Sequence, residues 1–359
     1  MSITTGDPAV ATVEQFAGRV FESALGAIDL LAIHLGDRMG WYRALAEHGP
    51  ADAATLTGRA GGDPRYAREW LEQQAATGIL RYDGDGRFAL PEAAAEVLLD
   101  HTSTDYLAPL ARAFAAAAVQ TPALLEAYRT GGGVGWDRFG TDMREAQSDM
   151  NRPWFEQRLA AALDDVPAVR EALTRPQARV ADVGCGGGWS AIALAKAYPS
   201  LRVDGYDIDS PSVRMATANA EAAGVGDRVR HHVADAATAL PAESYDLVFA
   251  FECLHDMPHP VRVLDAMRRA LRPGGSVIVM DEAVEPEFGA PASDIDRLMY
   301  GFSLLICLPD GLSHPGSAGT GTVMRPATLD RYATEAGFGR VEILPIEDFG
   351  FWRFYRLTA

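Results

Sequence analysis

Lysine is almost missing from this chain: Lys196 is the one lysine among 32 basic residues, which face 49 acidic ones for a net charge of −17. So little positive charge argues against a default affinity for DNA, RNA or anionic lipid. Neutralised phosphates and released counterions supply most of that binding. The arginines are dispersed among acids, and a small molecule is the expected partner. Cysteine is scarce as well. Cys185, Cys253 and Cys307 are odd in number and far apart, which excludes a disulfide framework and suits reduced thiols in a cytoplasm. No window reaches the roughly 18 uninterrupted apolar residues of a membrane span. The opening "MSITTGDPAVATVEQF" lacks the basic start and apolar core of a secretory signal, so a cytoplasmic location is expected. No His, Cys and acid cluster has ligand spacing along the sequence, and no metal is expected.

What is present is the balance of a globular protein, 48% hydrophobic and 23% charged over 359 residues, a length that suits two domains. Residues 13 to 48 carry apolar positions at helical spacing, broken near Gly36 and Gly40. A short helix over 52–60 follows, then a turn at Gly61-Gly62 and a helix with Asp63 as N-cap and Pro64 at its first position. "ILRYD" and "RFAL" then flank "GDG", a hairpin signal. Helix, turn, helix and hairpin make a winged-helix-like domain over 1–100. Its would-be recognition helix carries Arg65 and Arg68 but also Asp63, Glu69 and Glu72, and residues 51–100 hold five arginines against nine acids. A groove-reading helix needs excess positive charge, so a structural or dimer-forming role is expected instead. Residues 101–175 read as a helical linker, with a glycine- and aromatic-rich loop at 129–140 and a break at Pro153.

From residue 176 strands and helices alternate, which predicts a parallel sheet with covered faces. The strands are "RVADVG", "RVDGYDID", "VRHHVADA", "YDLVFAFE" and "SVIVMDE", the last preceded by a turn "RPGG". After an insertion at 285–326 come a helix near 327–336 and two final strands, "RVEILPI" and "FWRFYRLT". Between the first strand and its helix lies "GCGGGW". Gly186, Gly188 and Ala191 satisfy the dinucleotide pattern G-x-G-x-x-A, with Asp207 about 20 residues on. The glycines alone fit a dinucleotide or a methyl donor equally.

The ordered set "DVGCGGG", an acid ending the second strand, "ADA" after the third, "RPGG" before the fifth and a late "AGF" resembles the class I S-adenosylmethionine-dependent methyltransferases over about 180 residues. The two-domain layout is similar to that of small-molecule O-methyltransferases whose winged-helix-like domain mediates dimerisation and helps wall the substrate pocket. The resemblance implies an α/β, Rossmann-like sheet of seven strands, the last antiparallel, behind a mainly helical N-terminal domain, and a role in secondary metabolism. It implies S-adenosylmethionine as cofactor, held by Asp182, Gly184, Cys185, Gly186, Gly188, Asp207, Ile208, Asp235, Ala236 and Phe251. Asp182 would organise the loop and the donor's amino group, Asp207 would accept from ribose hydroxyls, and Asp235 from the adenine amino group between Ile208 and Ala236. A Cβ on Gly184, Gly186 or Gly188 would intrude on the donor or forbid the required φ.

Methyl transfer from a sulfonium is an in-line displacement, for which an enzyme aligns the acceptor, excludes water and removes a proton. "LHDM" resembles the "HDW" segment of plant-type O-methyltransferases, with methionine in place of tryptophan. The resemblance makes His255 the candidate base and Asp281 the acid that orients it. Glu282 is the neighbouring alternative, because alternation along a strand sends only one of the two to a given face. His259 and His314 are weaker candidates. For the substrate, the expected residues are Asn151, Arg152, Trp154 and Phe155 from the linker and Tyr300 and Phe302 from the insertion, a candidate lid. The expected activity is O-methylation of a small organic acceptor by a homodimer. Transfer to nitrogen or carbon, and a winged-helix ligand-sensing regulator, are the alternatives.

Overall fold

The computed structural model describes residues 12–359; most of the segment read above for a signal lies outside the described residues. No described helix is long and apolar enough to cross a membrane. The chain divides into two compact units, one of residues up to Asp100 with Asp105–Ala115, the other of His101–Thr104 with Ala116–Ala359.

In the first unit a 26-residue helix, Val13–Arg38, starts at a capping box in which Thr12 and Gln15 satisfy each other's backbone donors. It ends before Gly40, whose φ of 67° turns the chain into the helix Trp41–His48. Helices Ala53–Ala60 and Pro64–Ala76 follow, each capped by an aspartate, Asp52 and Asp63. A short antiparallel wing, β1 (Arg81–Tyr82) with β2 (Phe88–Ala89), leads to the helix Glu92–Leu99. Trp41, Tyr42, Leu45, Leu56, Trp70, Leu71 and Phe88 form its core. On Pro64–Ala76 both arginines are paired one turn on, Arg65 with Glu69 and Arg68 with Glu72.

The second unit is built on seven strands: β3 (Arg179–Val183), β4 (Arg202–Asp207), β5 (Val229–Val233), β6 (Tyr245–Phe251), β7 (Leu271–Glu282), β8 (Arg340–Ile343) and β9 (Trp352–Thr358). Their order is β5-β4-β3-β6-β7-β9-β8, parallel except for β9, which runs antiparallel to both β7 and β8. Strand β6 is buried along its whole length. Leu247, Phe249 and Phe251 fill one core layer and Val248 and Ala250 the other, the alternation a two-sided sheet requires. The order reverses between β3 and β6, and the crevice past their carboxyl ends is where such sheets bind ligands.

Two local expectations are corrected. "RPGG" is not a turn before the strand: β7 already begins at Leu271, and its pairing with β6 jumps from Tyr245↔Leu271 to Leu247↔Ser276, so these residues form a bulge with Gly274 at φ 80°. Nor does Pro153 break its helix. Gly140–Trp154 continues through a wide π turn, Phe155–Leu159, into Ala160–Asp164. A wider turn is how a helix absorbs a residue that cannot donate. The insertion likewise contains one continuous helical rod, Asp294–Phe302, Ser303–Cys307 and Leu308–Leu312.

Candidate active site

Strand β3 runs directly into Gly184–Gly188 and the helix Trp189–Ala197. The amides of Gly184 and Cys185 both donate to the Tyr206 carbonyl, at 2.8 and 3.2 Å, which ties the loop to β4. Gly186 donates its amide to Asp207 Oδ2 at 2.9 Å, and Asp207 Oδ1 accepts from the Asp209 amide at 2.8 Å. Gly184 and Gly188 have φ of 69° and 78°, the left-handed region closed to most side chains. Asp182, buried under the loop, accepts from Ser190 Oγ at 2.5 Å, and its burial pushes the carboxyl up to about 7.

Across the loop lies the polar face of Gly140–Trp154. Arg144, Gln147, Ser148 and Asn151 recur at helical spacing and, with Phe155, form the second wall of a cleft. Phe251 and Glu252, at the end of β6, close it, and the Phe155 and Phe251 rings lie 5.5 Å apart. Trp189 Nε1 donates to Ser148 Oγ at 3.0 Å, bridging the walls. Arg144 grips Asp209 through Nε and Nη2, at 2.7 and 2.9 Å, with both side chains nearly buried. Arg144→Ala leaves the Asp209 carboxylate buried without its cation. It is expected to lower stability by about 1.5–3 kcal/mol, read by denaturant unfolding.

Beyond β6 the chain turns sharply at Glu252, whose φ is 53°, and carries His255 inward. Its Nδ1 lies 3.0 Å from Asp281 Oδ1 and 3.2 Å from Glu282 Oε2, and its Nε2 lies 3.3 Å from Asp256 Oδ1. Burial alone would lower the imidazole, but Asp281, Glu282 and Asp256 outweigh it and hold the ring well above the usual histidine range. The same burial pushes Glu282 up to about 8. The expectation that only one of Asp281 and Glu282 reaches the histidine is corrected. Both do, because they stand at the last rungs of β7, where Glu282 donates its amide to Asp281 Oδ1 at 3.1 Å. No metal-ligand spacing is visible along the sequence, yet in space His255, Asp256 and Cys307 gather within 4.8 Å of one another, as do His255, Asp281 and Glu282.

Of the residues singled out in the sequence, Asp182, Gly184, Cys185, Gly186, Gly188, Phe251, Asn151 and Phe155 line the cleft. Asp207 touches its loop, and His255 and Asp281 are hydrogen-bonded to each other. The rest lie elsewhere. Asp235 is exposed and caps the helix Ala236–Ala239, Ile208 is exposed, and Ala236 is buried in the core. Arg152 stacks over Trp189 at 3.9 Å and pairs with Glu156. Trp154 packs against Phe349 and Trp352 in the core. Tyr300 packs edge-on against Phe288 and accepts from Arg325, while Phe302 ends the helix Asp294–Phe302; neither lines the cleft. His314 is exposed, and His259 is the N-cap residue of Pro260–Ala270. Sequence reasoning missed Arg144, Gln147, Ser148, Trp136 and Glu252. The first three announce themselves only as a polar stripe at helical spacing.

Residues 180–275 match a methyltransferase domain family, and residues 26–99 match the Rv2258c-like winged helix-turn-helix domain. The chain is 34% identical over 145 residues to a 27-O-demethylrifamycin SV methyltransferase of Amycolatopsis mediterranei, covering 39% of this chain and 53% of that protein. It is 30% identical over 168 residues to a ubiquinone biosynthesis O-methyltransferase of Psychrobacter arcticus, covering 46% and 61%. These alignments thus span between about half and three-fifths of the length of the curated relatives. Human N-acetylserotonin methyltransferase, solved with S-adenosylmethionine, shares the fold with a TM-score of 0.71 at 16% identity, covering 100% of this chain and 99% of that one. Strand order, glycine loop and family matches agree: the chain carries a methyltransferase domain of the class I, Rossmann-like fold, preceded by a winged helix-turn-helix domain.

Proposed function

We propose that the chain is an S-adenosylmethionine-dependent methyltransferase that acts on a small organic acceptor, with oxygen as the atom methylated. The observation that carries this reading is the glycine loop at the carboxyl end of β3. It faces a cleft with positive φ at Gly184, Gly186 and Gly188, and no atom lies within 4 Å of where a Gly186 Cβ would stand. Such a cradle suits a ligand that lies against bare backbone. The residues present fit the donor. The amides at the start of Trp189–Ala197 suit its carboxylate, and Asp207, at the end of β4, suits ribose hydroxyls. Asp235, Ile208 and Ala236 follow on the next two strand ends, where adenine is expected. Bound there, S-adenosylmethionine supplies an electrophilic methyl group for in-line displacement. The oxygen assignment draws on the rifamycin and ubiquinone O-methyltransferases that the chain resembles.

This chain's own residues then align the acceptor, keep water out and take its proton. Phe155 is the cleft residue assigned to the acceptor, and His255 is assigned the proton, with Asp281 and Glu282 steadying the charge that results. A base must start neutral, and three carboxylates favour the imidazolium. Turnover is therefore expected to rise with pH, with a midpoint above the ordinary histidine value of about 6.5. A flat pH–rate profile between about pH 6 and 9 would remove His255 from proton transfer.

The first unit is assigned to homodimer formation. Phe16, Val20, Phe21, Ile28, Leu31 and Leu35 stand exposed along Val13–Arg38, an apolar ridge that a second copy would cover. The three free thiols suit a cytoplasmic location. The direct test is a screen of hydroxyl, carboxyl and amine acceptors with methyl-labelled donor. Label on a hydroxyl supports the reading, label on an amine alone replaces oxygen by nitrogen, and label on none refutes the activity.

A further inference from the structure

We infer that Glu252 is the counter-ion for the α-ammonium of the methyl donor, with the amide oxygen of Asn151 as a second acceptor for the same group. This rests on the proposed use of S-adenosylmethionine and assigns its amino group to a residue that the motif resemblance, which points to Asp182, does not include. Glu252 is not glycine, yet its backbone sits in the left-handed region at φ 53°, held by its amide's 2.8 Å hydrogen bond to the Met280 carbonyl. A non-glycine residue in that region is strained and persists where the surroundings enforce it, most often at functional sites. Here the conformation brings the side chain to the cleft opposite the glycine loop.

The contacts of that side chain are lopsided. Oε2 accepts from Asn151 Nδ2 and from Gln147 Nε2, the latter at 3.2 Å. Both donors are neutral amides. Arg144, the one arginine lining the cleft, is held by Asp209 through two hydrogen bonds, and His255 is engaged by three carboxylates. An ionised carboxylate offers about four acceptor positions; the two amides and the Trp352 indole N–H favour its charged form, and none of these three brings a positive charge. Burial first, then the nearby Glu282, pushes Glu252 up to about 8. The side chain is therefore poised between a neutral acid and a carboxylate that lacks a cation. Asn151 repeats the pattern: its Nδ2 is used, while its Oδ1 is buried without a partner. A carboxylate met by neutral donors and, beside it, a buried amide oxygen with no donor fit a ligand group that brings several N–H donors and a positive charge. Asp182 fits it less well, because it is 1% exposed and Oδ2 is taken by Ser190.

The test is calorimetric titration of wild type and Glu252→Gln with S-adenosylhomocysteine and with its deaminated analogue, which keeps the nucleoside, sulfur and carboxylate. The amide matches the neutral acid in shape, so the variant is expected to keep the wild-type melting temperature at pH 7. Its affinity for S-adenosylhomocysteine is expected to fall about 10-fold or more, the scale of a lost charge-assisted hydrogen bond. The deaminated analogue is expected to bind both proteins within about twofold. An equal loss for both ligands, or no loss for S-adenosylhomocysteine, overturns the assignment. Wild type that binds neither ligand refutes the donor reading itself, a result distinct from either.

Discussion

Gly184→Ala is expected to lower the stability of the second unit by about 2–5 kcal/mol and to abolish donor binding. Two costs add. The position has φ 69°, where a Cβ costs about 1–2 kcal/mol, and the new methyl would stand 2.7 Å from both Cβ and Sγ of Cys253. Cys253 has no easy retreat, because its Sγ donates to the Val183 carbonyl at 3.1 Å. Overpacking of this kind costs about 1–3 kcal/mol. Gly186→Ala is the informative contrast. Its φ is 48°, but a Cβ there meets nothing within 4 Å, so only the backbone cost of about 1–2 kcal/mol remains. That methyl would project into open space at the loop. Donor affinity should therefore be lost with most of the stability kept. Thermal unfolding and calorimetry with S-adenosylhomocysteine read the two effects separately. Equal stability losses in the two variants would contradict the packing described around Cys253.

His255→Ala is expected to cut turnover by about 10²-fold or more while donor affinity stays within a few-fold. The same change leaves Asp281, Glu282 and Asp256 facing one another without their cation, so the variant also loses stability. Asp281→Asn separates the two roles. It keeps the imidazole but removes the leading carboxylate that holds it protonated. The rising limb of the pH–rate profile is then expected to move down toward the ordinary histidine midpoint. A histidine that only fills space would leave the profile where it was.

Much of this was legible from local sequence. The glycine loop follows its strand within a few residues, the Asp63 cap sits one position before its helix, and a near-continuous apolar run marks β6, so each signal lies inside one window. What sequence could not supply was the partner brought from far away. Arg144, Gln147, Ser148 and Asn151 form a stripe that reads as an ordinary solvated helix face. Only tertiary packing turns it against Gly184–Gly188. Cys307 joins His255 from 52 residues away in sequence (307 − 255), through the helical rod of the insertion. Trp154 and Phe155 are neighbours that the sequence treats alike. Both pack into the layer that holds Trp352, but Phe155, where the π turn begins, also lines the cleft and Trp154 does not. Glu252 sits beside a motif read for its histidine, and nothing in its spacing announces a left-handed backbone.

The cleft beside Gly184–Gly188 is proposed to hold a methyl donor and not a dinucleotide, two ligands that the glycines alone fit equally. Calorimetric titration of the intact protein with S-adenosylhomocysteine and with NADH tests it most directly. Saturable binding of S-adenosylhomocysteine with no heat from NADH is the expected result. Binding of NADH without S-adenosylhomocysteine would contradict it.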